Sequence, residues 1–339
     1  MAAYAPLLRR LIAGESLRSE ESAQFVGDVM DASLTPVQAA GVLVALAAKG
    51  ETVEEIVGAA RAMRDRSLVV EHALDTVVDV VGTGGDGANT INISTMAALV
   101  VAAAGLPVAK HGNRAASSAC GSADVLEAAG LPIEISPEVA GKMLRGAGFT
   151  FMFAPRYHPA MRNVGPVRRE LGVRTIFNVL GPLTNPARAS HAVVGVARSE
   201  LVETLARVLP ELGVVRGAVV HGTNGLDEVA GDAPTTVYSF ERGGKSRSWE
   251  LDPSAYGVRT PLADIVGGSV ERCLEAFQAI LGGETRPASN VVALNAAVVF
   301  HAVGAQNRLE DAFEQAAAIL RSGAALRTFE RAKELAIHG

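Results

Sequence analysis

A glycine-rich loop directly follows a run of β-branched residues in the first third of the chain. Residues 76–81 read Thr-Val-Val-Asp-Val-Val, and residues 82–87 read Gly-Thr-Gly-Gly-Asp-Gly. Glycines adopt positive φ and let backbone N–H groups approach phosphate oxygens closely. The loop has neither the Gly-Lys-Ser/Thr ending of a Walker A loop nor the spacing of a dinucleotide fingerprint. It therefore indicates a phosphate site of another kind, with an ordinary structural turn as the alternative.

Short polar side chains crowd the start of the helix that is predicted after this loop. Asn89, Thr90, Asn92, Ser94 and Thr95 come just before an apolar run. They could cap the helix through their side chains. They could also bind an anion together with the unpaired N–H groups and the dipole of the helix N-terminus. The two interpretations are compatible.

A second loop combines cations with small polar residues. Residues 110–118 read Lys-His-Gly-Asn-Arg-Ala-Ala-Ser-Ser and follow the predicted strand Pro-Val-Ala at 107–109. Because α/β folds bind ligands at the carboxyl ends of their strands, this set is a candidate anion site. A solvated loop remains the alternative for any one of its residues. Ser122, which we expect to cap the next helix, is a further candidate.

Two adjacent carboxylates, Asp227 and Glu228, end a third loop that follows a predicted strand. Hard oxygen ligands beside phosphate-binding loops are typical of Mg²⁺, which binds one or two carboxylates together with substrate oxygens and water. An Asp-Glu pair is more often a solvated surface feature. Its position beyond a strand end favours the metal interpretation.

Several arginines in the middle of the chain could bind a carboxylate. Residues 165–172 read Gly-Pro-Val-Arg-Arg-Glu-Leu-Gly and resemble a helix that carries Arg168 and Arg169. A planar guanidinium binds a carboxylate through two parallel hydrogen bonds. The residues alone do not decide which arginine has this role.

The elements that must position these loops follow from the hydrophobic periodicity. Apolar residues recur every three or four positions from Tyr4 to Arg66, which predicts about four short helices in a small all-helical domain. From residue 76 onward strands and helices alternate, which predicts an α/β domain with a mostly parallel sheet flanked by helices. Strands are predicted at 76–81, 107–110, 133–135, 150–153, 191–196, 217–221 and 235–240, and residues 241–250 are predicted to form an exposed excursion.

Composition excludes several classes of protein. The formal net charge of −5 argues against a nucleic-acid-binding protein, because neutralising phosphates takes a cationic surface. Two distant cysteines, Cys120 and Cys273, fit neither a disulfide framework nor a zinc site and are expected to be reduced thiols. Without a recognisable secretory signal or a long apolar run, the chain is expected to be a soluble cytoplasmic protein.

The motifs together resemble the anthranilate phosphoribosyltransferase family over nearly the whole chain. They are Gly-Thr-Gly-Gly-Asp-Gly at 82–87, Asn-Ile-Ser-Thr at 92–95, Lys-His-Gly-Asn-Arg at 110–114, Val-Arg-Arg-Glu-Leu-Gly at 167–172, Phe-Asn-Val-Leu-Gly-Pro-Leu-Thr-Asn-Pro at 177–186 and Leu-Asp-Glu-Val at 226–229. The resemblance implies transfer of a phosphoribosyl group from phosphoribosyl pyrophosphate (PRPP) to anthranilate with Mg²⁺. It also implies a helical domain at 1–72, to which residues 165–186 return, and an α/β PRPP-binding domain at 73–164 and 187–339. A homodimer through the helical domains completes what the family implies.

The resemblance also implies roles for individual residues. Those implied to bind PRPP are Gly82, Gly85, Asp86, Thr90, Asn92, Ile93, Ser94, Thr95, Lys110, His111, Gly112, Asn113, Arg114, Ala115, Ala116, Ser117, Ser118 and Ser122. Those implied to bind or adjoin anthranilate are Gly82, Asn113, Arg168, His111 and His158. The Mg²⁺ ligands are implied to be Ser94, Asp227 and Glu228, and the catalytic roles fall to Lys110, opposite the departing pyrophosphate, and Arg168, on the acceptor carboxylate.

Two alternatives stay open at this point. A pyrimidine nucleoside phosphorylase would use the glycine-rich loop for inorganic phosphate, but the basic loop at 110–114 and the acidic pair favour PRPP. A non-catalytic nucleic-acid-binding relative of the same fold is disfavoured by the acidic net charge.

Overall fold

The computed structural model describes residues 4–115 and 119–339, and it begins with a bundle of short helices. These are α1 (Ala5–Ile12), α2 (Ser19–Met30), α3 (Pro36–Lys49) and α4 (Val53–Asp65). The hydroxyls of Thr35 and Thr52 accept the backbone N–H groups of Gln38 and Glu55, and so start α3 and α4. The four helices predicted from the periodicity are confirmed.

The rest of the chain forms one sheet covered by helices. Its strands are β1 (Val78–Gly82), β2 (Val108–Gly112), β3 (Phe149–Phe153), β4 (His191–Gly195), β5 (Arg216–Gly222), β6 (Thr235–Glu241) and β7 (Arg247–Leu251). They lie in the order β3-β2-β1-β4-β5-β6-β7. The first five are parallel, whereas β6 and β7 are antiparallel. The predicted α/β class, a helical domain plus a mostly parallel sheet flanked by helices, is confirmed.

The remaining helices cover the sheet or pack against the helical bundle. They are α5 (Ile93–Ala103), α6 (Ser122–Ala128), α7 (Pro137–Ala147), then α8 (Ala154–Tyr157), α9 (Met161–Leu171) and α10 (Phe177–Leu180), and finally α11 (Leu201–Glu211), α12 (Val270–Leu281), α13 (Pro287–Ala302), α14 (Leu309–Arg321) and α15 (Ala324–His338). Nearly every residue of α13 is buried, because this helix lies between α5 and α14. None of the helices in the described ranges is long and apolar enough to cross a membrane.

The middle of the chain returns to the helical bundle. Helix α9 packs against α2 and α3, and the Asn163 amide donates to the Met30 carbonyl over 2.7 Å. Val164, Phe177 and Leu180 share a hydrophobic core with the bundle. These contacts fit the expected return of residues 165–186, although the domain boundaries themselves remain a prediction.

One strand prediction is wrong, and one strand was not predicted. Residues 133–135 read Ile-Glu-Ile, yet they form an irregular segment just before α7. Ile133 and Ile135 are buried in the main core. The predicted excursion at 241–250 is exposed apart from the half-buried Trp249, but it also contains most of β7, an edge strand whose exposed face is polar. Only Trp249 and Leu251 face inward there, and two apolar residues are too few to mark a strand.

Candidate active site

The carboxyl ends of the parallel strands form one edge, and the three candidate loops meet there. The register pairs Gly82 of β1 with Gly195 of β4, and Gly112 of β2 with Phe153 of β3. In the order β3-β2-β1-β4-β5, the strand order reverses between β1 and β4, which are parallel neighbours. Doubly wound sheets bind ligands in the crevice at this reversal. The fold therefore places the candidate site between the ends of β1 and β4.

The Asp227 carboxylate lies directly over this crevice. Its Oδ2 accepts the backbone N–H of Gly84 at 2.6 Å, and the residue is 9% exposed. A Cβ atom at Gly82 would collide with the carboxylate, and one at Gly195 would collide with the Asp227 carbonyl oxygen. Two strand ends without side chains thus make room for the acidic loop.

Glu228 approaches the start of α5. Its Oε1 accepts the backbone N–H of Ser94 at 3.1 Å. Burial raises the pKa of both carboxyls, and the charge of Asp86 on Asp227, and of Asp227 on Glu228, raises them further. Ionising both carboxyls at this site is therefore unfavourable unless a positive charge lies beside them, which favours a bound cation.

Lys110 lies beneath the same crevice. It is 2% exposed, and its Nζ donates to the Val80 carbonyl at 2.5 Å and to the Ser94 hydroxyl at 3.3 Å. Burial lowers the pKa of Lys110, while the charges of Asp79, Glu228 and Asp227 oppose that decrease. The ammonium group is thus fixed close to Ser94 and to the acidic pair.

A buried polar network holds β2 in place behind the site. Asp79, 1% exposed in the middle of β1, accepts the Asn185 amide at 2.7 Å and the backbone N–H of His111 at 3.3 Å. Asn185 also donates to the Ala109 carbonyl at 2.8 Å. Burial raises the pKa of Asp79 to about 6. The network joins both strands to the end of the returning segment.

Two buried histidines lie side by side at the acceptor side expected from the resemblance. The rings of His111 and His158 are 5.0 Å apart, and His111 Nδ1 is 3.1 Å from the Gly181 carbonyl. Within the described residues, His111 Nε2 and both nitrogens of His158 are buried without a hydrogen-bond partner of normal geometry. Burial lowers the pKa of His111 to about 4 and that of His158 to about 3. Both rings are neutral at physiological pH.

Replacing His158 with glutamine should remove part of the pH dependence of stability. The unfolded chain takes up a proton on this ring below about pH 6.5, whereas the folded chain does not until about pH 3. As the pH falls through that window, this group therefore lowers the free energy of unfolding by up to about 1.4 kcal/mol per pH unit. We expect urea denaturation to show the wild type losing stability relative to His158→Gln between about pH 6 and pH 5. His338→Gln, at an exposed end of the chain, is the control, and parallel pH profiles for wild type and His158→Gln would contradict the expectation.

Arg168 and Arg169 lie on different faces of α9. Arg168 is partly buried, with its guanidinium carbon 6.0 Å from the centroid of the Phe177 ring, and burial lowers its pKa. It forms no salt bridge with any carboxylate of the described residues. Arg169 is exposed. Arg168 is thus the better placed of the two to bind a carboxylate that is attached to an apolar ring.

The start of α5 is not capped by its N-cap side chain. Asn92 holds the N-cap position, but its amide donates to the Cys120 carbonyl at 3.2 Å instead. The Thr95 hydroxyl is buried and has no partner in the described part of the chain. Thr90 pairs with Val266 in an isolated bridge, and Ile93 is buried. Of the first three backbone N–H groups of the helix, that of Ile93 donates to the Ile91 carbonyl and that of Ser94 to Glu228. Among the described residues the Thr95 N–H has no acceptor, and it is the one left for an anion.

The second loop is only partly described. Ala116, Ser117 and Ser118 lie outside the described residues. The backbone N–H of Ala115 donates to Asp124, and Arg114 pairs with Glu127 at 2.7 Å and Asp124 at 3.0 Å. The Arg114 guanidinium is thus turned towards α6 in this structure.

The expected cap at Ser122 is wrong. Gly121 is the N-cap of α6, and Ser122 is the first residue of the helix. The Ser122 hydroxyl donates to the Asn113 carbonyl at 3.2 Å, while the Asn113 side chain accepts the backbone N–H of Arg114 at 2.8 Å. Ser122 thereby connects α6 to the polar loop.

Sequence reasoning missed three residues that adjoin the site. Asp79 and Asn185 form the network behind β2, and Arg174 donates to the Gly85 carbonyl at 3.0 Å. A charged residue inside the β-branched run 76–81 was the available signal for Asp79, because carboxylates are rarely buried without partners. Asn185 and Arg174 have no comparable local signal.

Comparison with known proteins identifies the class. Residues 5–67 match the helical bundle domain of a glycosyl transferase family, and residues 74–326 match the a/b domain of the same family. The two matches account for most of the chain. The protein is therefore a glycosyl transferase with this pair of domains.

Individual relatives narrow the class. An anthranilate phosphoribosyltransferase from Thermomicrobium roseum is 48% identical over 333 residues, which cover 97% of this chain and 96% of the relative. The solved anthranilate phosphoribosyltransferase from Thermus thermophilus has a TM-score of 0.91 at 43% identity and covers 97% of this chain and 99% of its own. The Saccharomyces cerevisiae enzyme, solved with PRPP and Mg, has a TM-score of 0.91 at 27% identity over 100% of this chain and 99% of its own, and it was also solved with 4-fluoroanthranilate.

This chain belongs to the anthranilate phosphoribosyltransferase family, and it is an enzyme of that family. The resemblance drawn from the motifs is confirmed. None of these relatives supports the nucleoside phosphorylase or nucleic-acid-binding alternative.

Proposed function

We propose that this enzyme transfers the 5-phosphoribosyl group of PRPP to the amino nitrogen of anthranilate, releasing pyrophosphate, as a step of tryptophan biosynthesis. The observation that best supports PRPP as the donor is that the glycine-rich loop has unpaired backbone N–H groups. Across residues 4–115 and 119–339, the backbone N–H groups of Gly85, Asp86 and Gly87 donate to no acceptor of the protein. Successive free amides beside Lys110 and a helix N-terminus suit the phosphates of such a donor.

The PRPP contacts we propose follow the three segments at the sheet edge. Gly82, Gly85 and Asp86 belong to the first loop, and Thr90 and 92–95 to the start of α5. Residues 110–118 and Ser122 supply the remainder. The proposal for 116–118 rests on the sequence motif alone.

The residues at the edge also fit a magnesium ion. Asp227, Glu228 and the Ser94 hydroxyl offer hard oxygen ligands, and the two carboxyls have raised pKa values that a cation would reverse. The described residues contain no group of three or more His, Cys, Asp or Glu side chains that could hold a metal alone. Two carboxylates and one hydroxyl suit Mg²⁺, which also takes ligands from substrate phosphates and water. When bound, Mg²⁺ would neutralise negative charge on the pyrophosphate.

The chemistry places opposite charges at the two ends of the breaking bond. Positive charge develops on the ribose and negative charge on the departing pyrophosphate. Lys110 and the free loop amides stabilise that negative charge, and since they are already fixed in place they need little reorganisation. Anthranilate attacks through a neutral amine, so no strong base is required. Arg168 holds the acceptor carboxylate and Gly82, Asn113, His111 and His158 adjoin the ring, which keeps the nitrogen near the reacting carbon.

A fluorescence assay tests the function. Anthranilate is fluorescent, and we expect the signal to fall when the protein is mixed with PRPP, Mg²⁺ and anthranilate. Omitting PRPP or the metal should abolish the loss. A stable signal, together with phosphorolysis of a pyrimidine nucleoside, would overturn the proposal in favour of the phosphorylase.

We also propose the domain division 1–72 with 165–186 against 73–164 with 187–339, and a cytoplasmic homodimer formed through the helical domain. The cysteines Cys120 and Cys273 are both free and buried, which fits a reducing compartment. On the helical bundle, Ile12 is 72% exposed, Val37 82% and Val44 43%. Val37 and Val44 are seven residues apart and share one face of α3. An apolar face of this kind is typical of a subunit contact.

Light scattering should give twice the mass of the chain at micromolar concentration. Replacing Val37 and Val44 with lysine should produce monomers, because burying two unpaired charges at a subunit contact is unfavourable. Ile337→Lys is the matched control, since Ile337 is 56% exposed but lies on α15. A monomeric wild type, or dissociation by the control alone, would contradict the dimer.

A further inference from the structure

Arg174 joins the helical side of the molecule to the glycine-rich loop. It lies between α9, which packs on the bundle, and α10, and its Nη2 donates to the Gly85 carbonyl at 3.0 Å. Gly85 has a φ of +81°, and a Cβ atom there would lie 2.6 Å from Nη2. The close approach therefore depends on a glycine in the left-handed region.

The loop is fixed by opposite sides of the site at two peptide units, 83–84 and 85–86, which one further peptide unit separates. The N–H of Gly84 is held by Asp227, from the α/β side, at 2.6 Å. The carbonyl of Gly85 is held by Arg174, from the returning segment. In a planar trans peptide the C=O and the following N–H point in opposite directions. With the Gly85 carbonyl turned to Arg174, the N–H of Asp86 is turned away from the guanidinium.

The charge environment of Arg174 differs from that of the other cations near the loops. Arg114 is paired with Glu127 and Asp124, and Lys110 lies close to Ser94 and the acidic pair. Arg174 is exposed and forms no salt bridge within the ranges that the structure describes. Among the described residues, its acceptor is the Gly85 carbonyl, and the backbone N–H groups that follow this carbonyl in the loop have no acceptor there.

We propose that Arg174 is a positioning residue for PRPP, which orients the amides of the glycine-rich loop by holding the Gly85 carbonyl. The inference rests on the proposed use of PRPP. It predicts that losing Arg174 raises the KM for PRPP and leaves the KM for anthranilate almost unchanged, because Arg168 and the histidine pair are held by other contacts. If the contact between Arg174 and Gly85 only stabilised the fold, its loss would instead change the KM values of both substrates, or of neither.

The test compares Arg174→Ala, Arg174→Gln and Arg174→Lys with the control Arg169→Ala, whose side chain is exposed on α9. Removing a hydrogen bond from a charged donor should raise the KM for PRPP at least about tenfold. The KM for anthranilate and the thermal midpoint should change little. Glutamine, which can still donate to the Gly85 carbonyl, should recover part of the loss, and Arg169→Ala should resemble the wild type.

Isothermal titration with PRPP and Mg²⁺ separates this inference from the proposed function. If the wild type itself does not bind PRPP, the proposed function fails. If the wild type binds and Arg174→Ala binds within about twofold of it, the positioning role fails. The role also fails if both KM values rise together, or if lysine restores binding while glutamine behaves like alanine, since the guanidinium would then act through its charge alone.

Discussion

Replacing Asp227 with asparagine and Glu228 with glutamine should abolish the magnesium response of the enzyme and nearly all of its activity. A metal ion contributes several kcal/mol of transition-state stabilisation, so kcat should fall by at least about 10³-fold. The fold should survive, because burial raises the pKa of both carboxyls and their charges already oppose folding at neutral pH. The amide oxygens can still accept the N–H groups of Gly84 and Ser94.

Initial rates over a range of Mg²⁺ concentrations, combined with thermal unfolding, measure both effects. Glu310→Gln with Asp311→Asn is the matched control, an adjacent acidic pair that is exposed in the first turn of α14. We expect the control to keep the wild-type Mg²⁺ curve. An unchanged curve in the folded Asp227 and Glu228 double variant would remove these two residues from the metal site.

Arg168→Ala should raise the KM for anthranilate at least roughly tenfold and leave that for PRPP nearly unchanged. The guanidinium is partly buried, lies near the Phe177 ring and forms no salt bridge in the described residues, so it can take a carboxylate attached to an apolar ring. Truncating such a contact costs about 2–5 kcal/mol, whereas an exposed charge costs far less.

Arg169→Ala is the control for this prediction as well, since Arg169 neighbours Arg168 but faces solvent. Steady-state kinetics with each substrate varied in turn measure the separation. If the two variants behave alike, or if Arg168→Ala impairs PRPP instead, the carboxylate site lies elsewhere.

Much of the fold could be predicted because its signals are local. The β-branched run at 76–81 and the glycines after it marked β1 and its loop, and threonines at 35 and 52 marked the starts of α3 and α4. Local signals also produced the errors. Ile133 and Ile135 alternate like a strand although they only fill a space between helices, and β7 has too few apolar residues to be recognised.

The candidate site was predictable as three loops but not as a geometry. Strand order decides that the loop with Asp227 crosses the loop with Gly84, 143 positions earlier. The Asp79 contact with Asn185 spans 106 positions, and the Arg174 contact with Gly85 spans 89. Periodicity carries no information about such distances, so the partners appear only once the sheet is assembled.

The bare strand end at Gly195 has a consequence for natural variation and for laboratory libraries. This glycine is not among the proposed ligand-binding residues, yet even the smallest side chain there would strike the backbone of the acidic loop. A complete substitution scan should therefore show position 195 as intolerant as the carboxylates proposed to bind the metal. Judged by such a scan alone, Gly195 would be mistaken for a residue that contacts substrate. Its contribution is instead the room that a missing side chain leaves for the acidic loop.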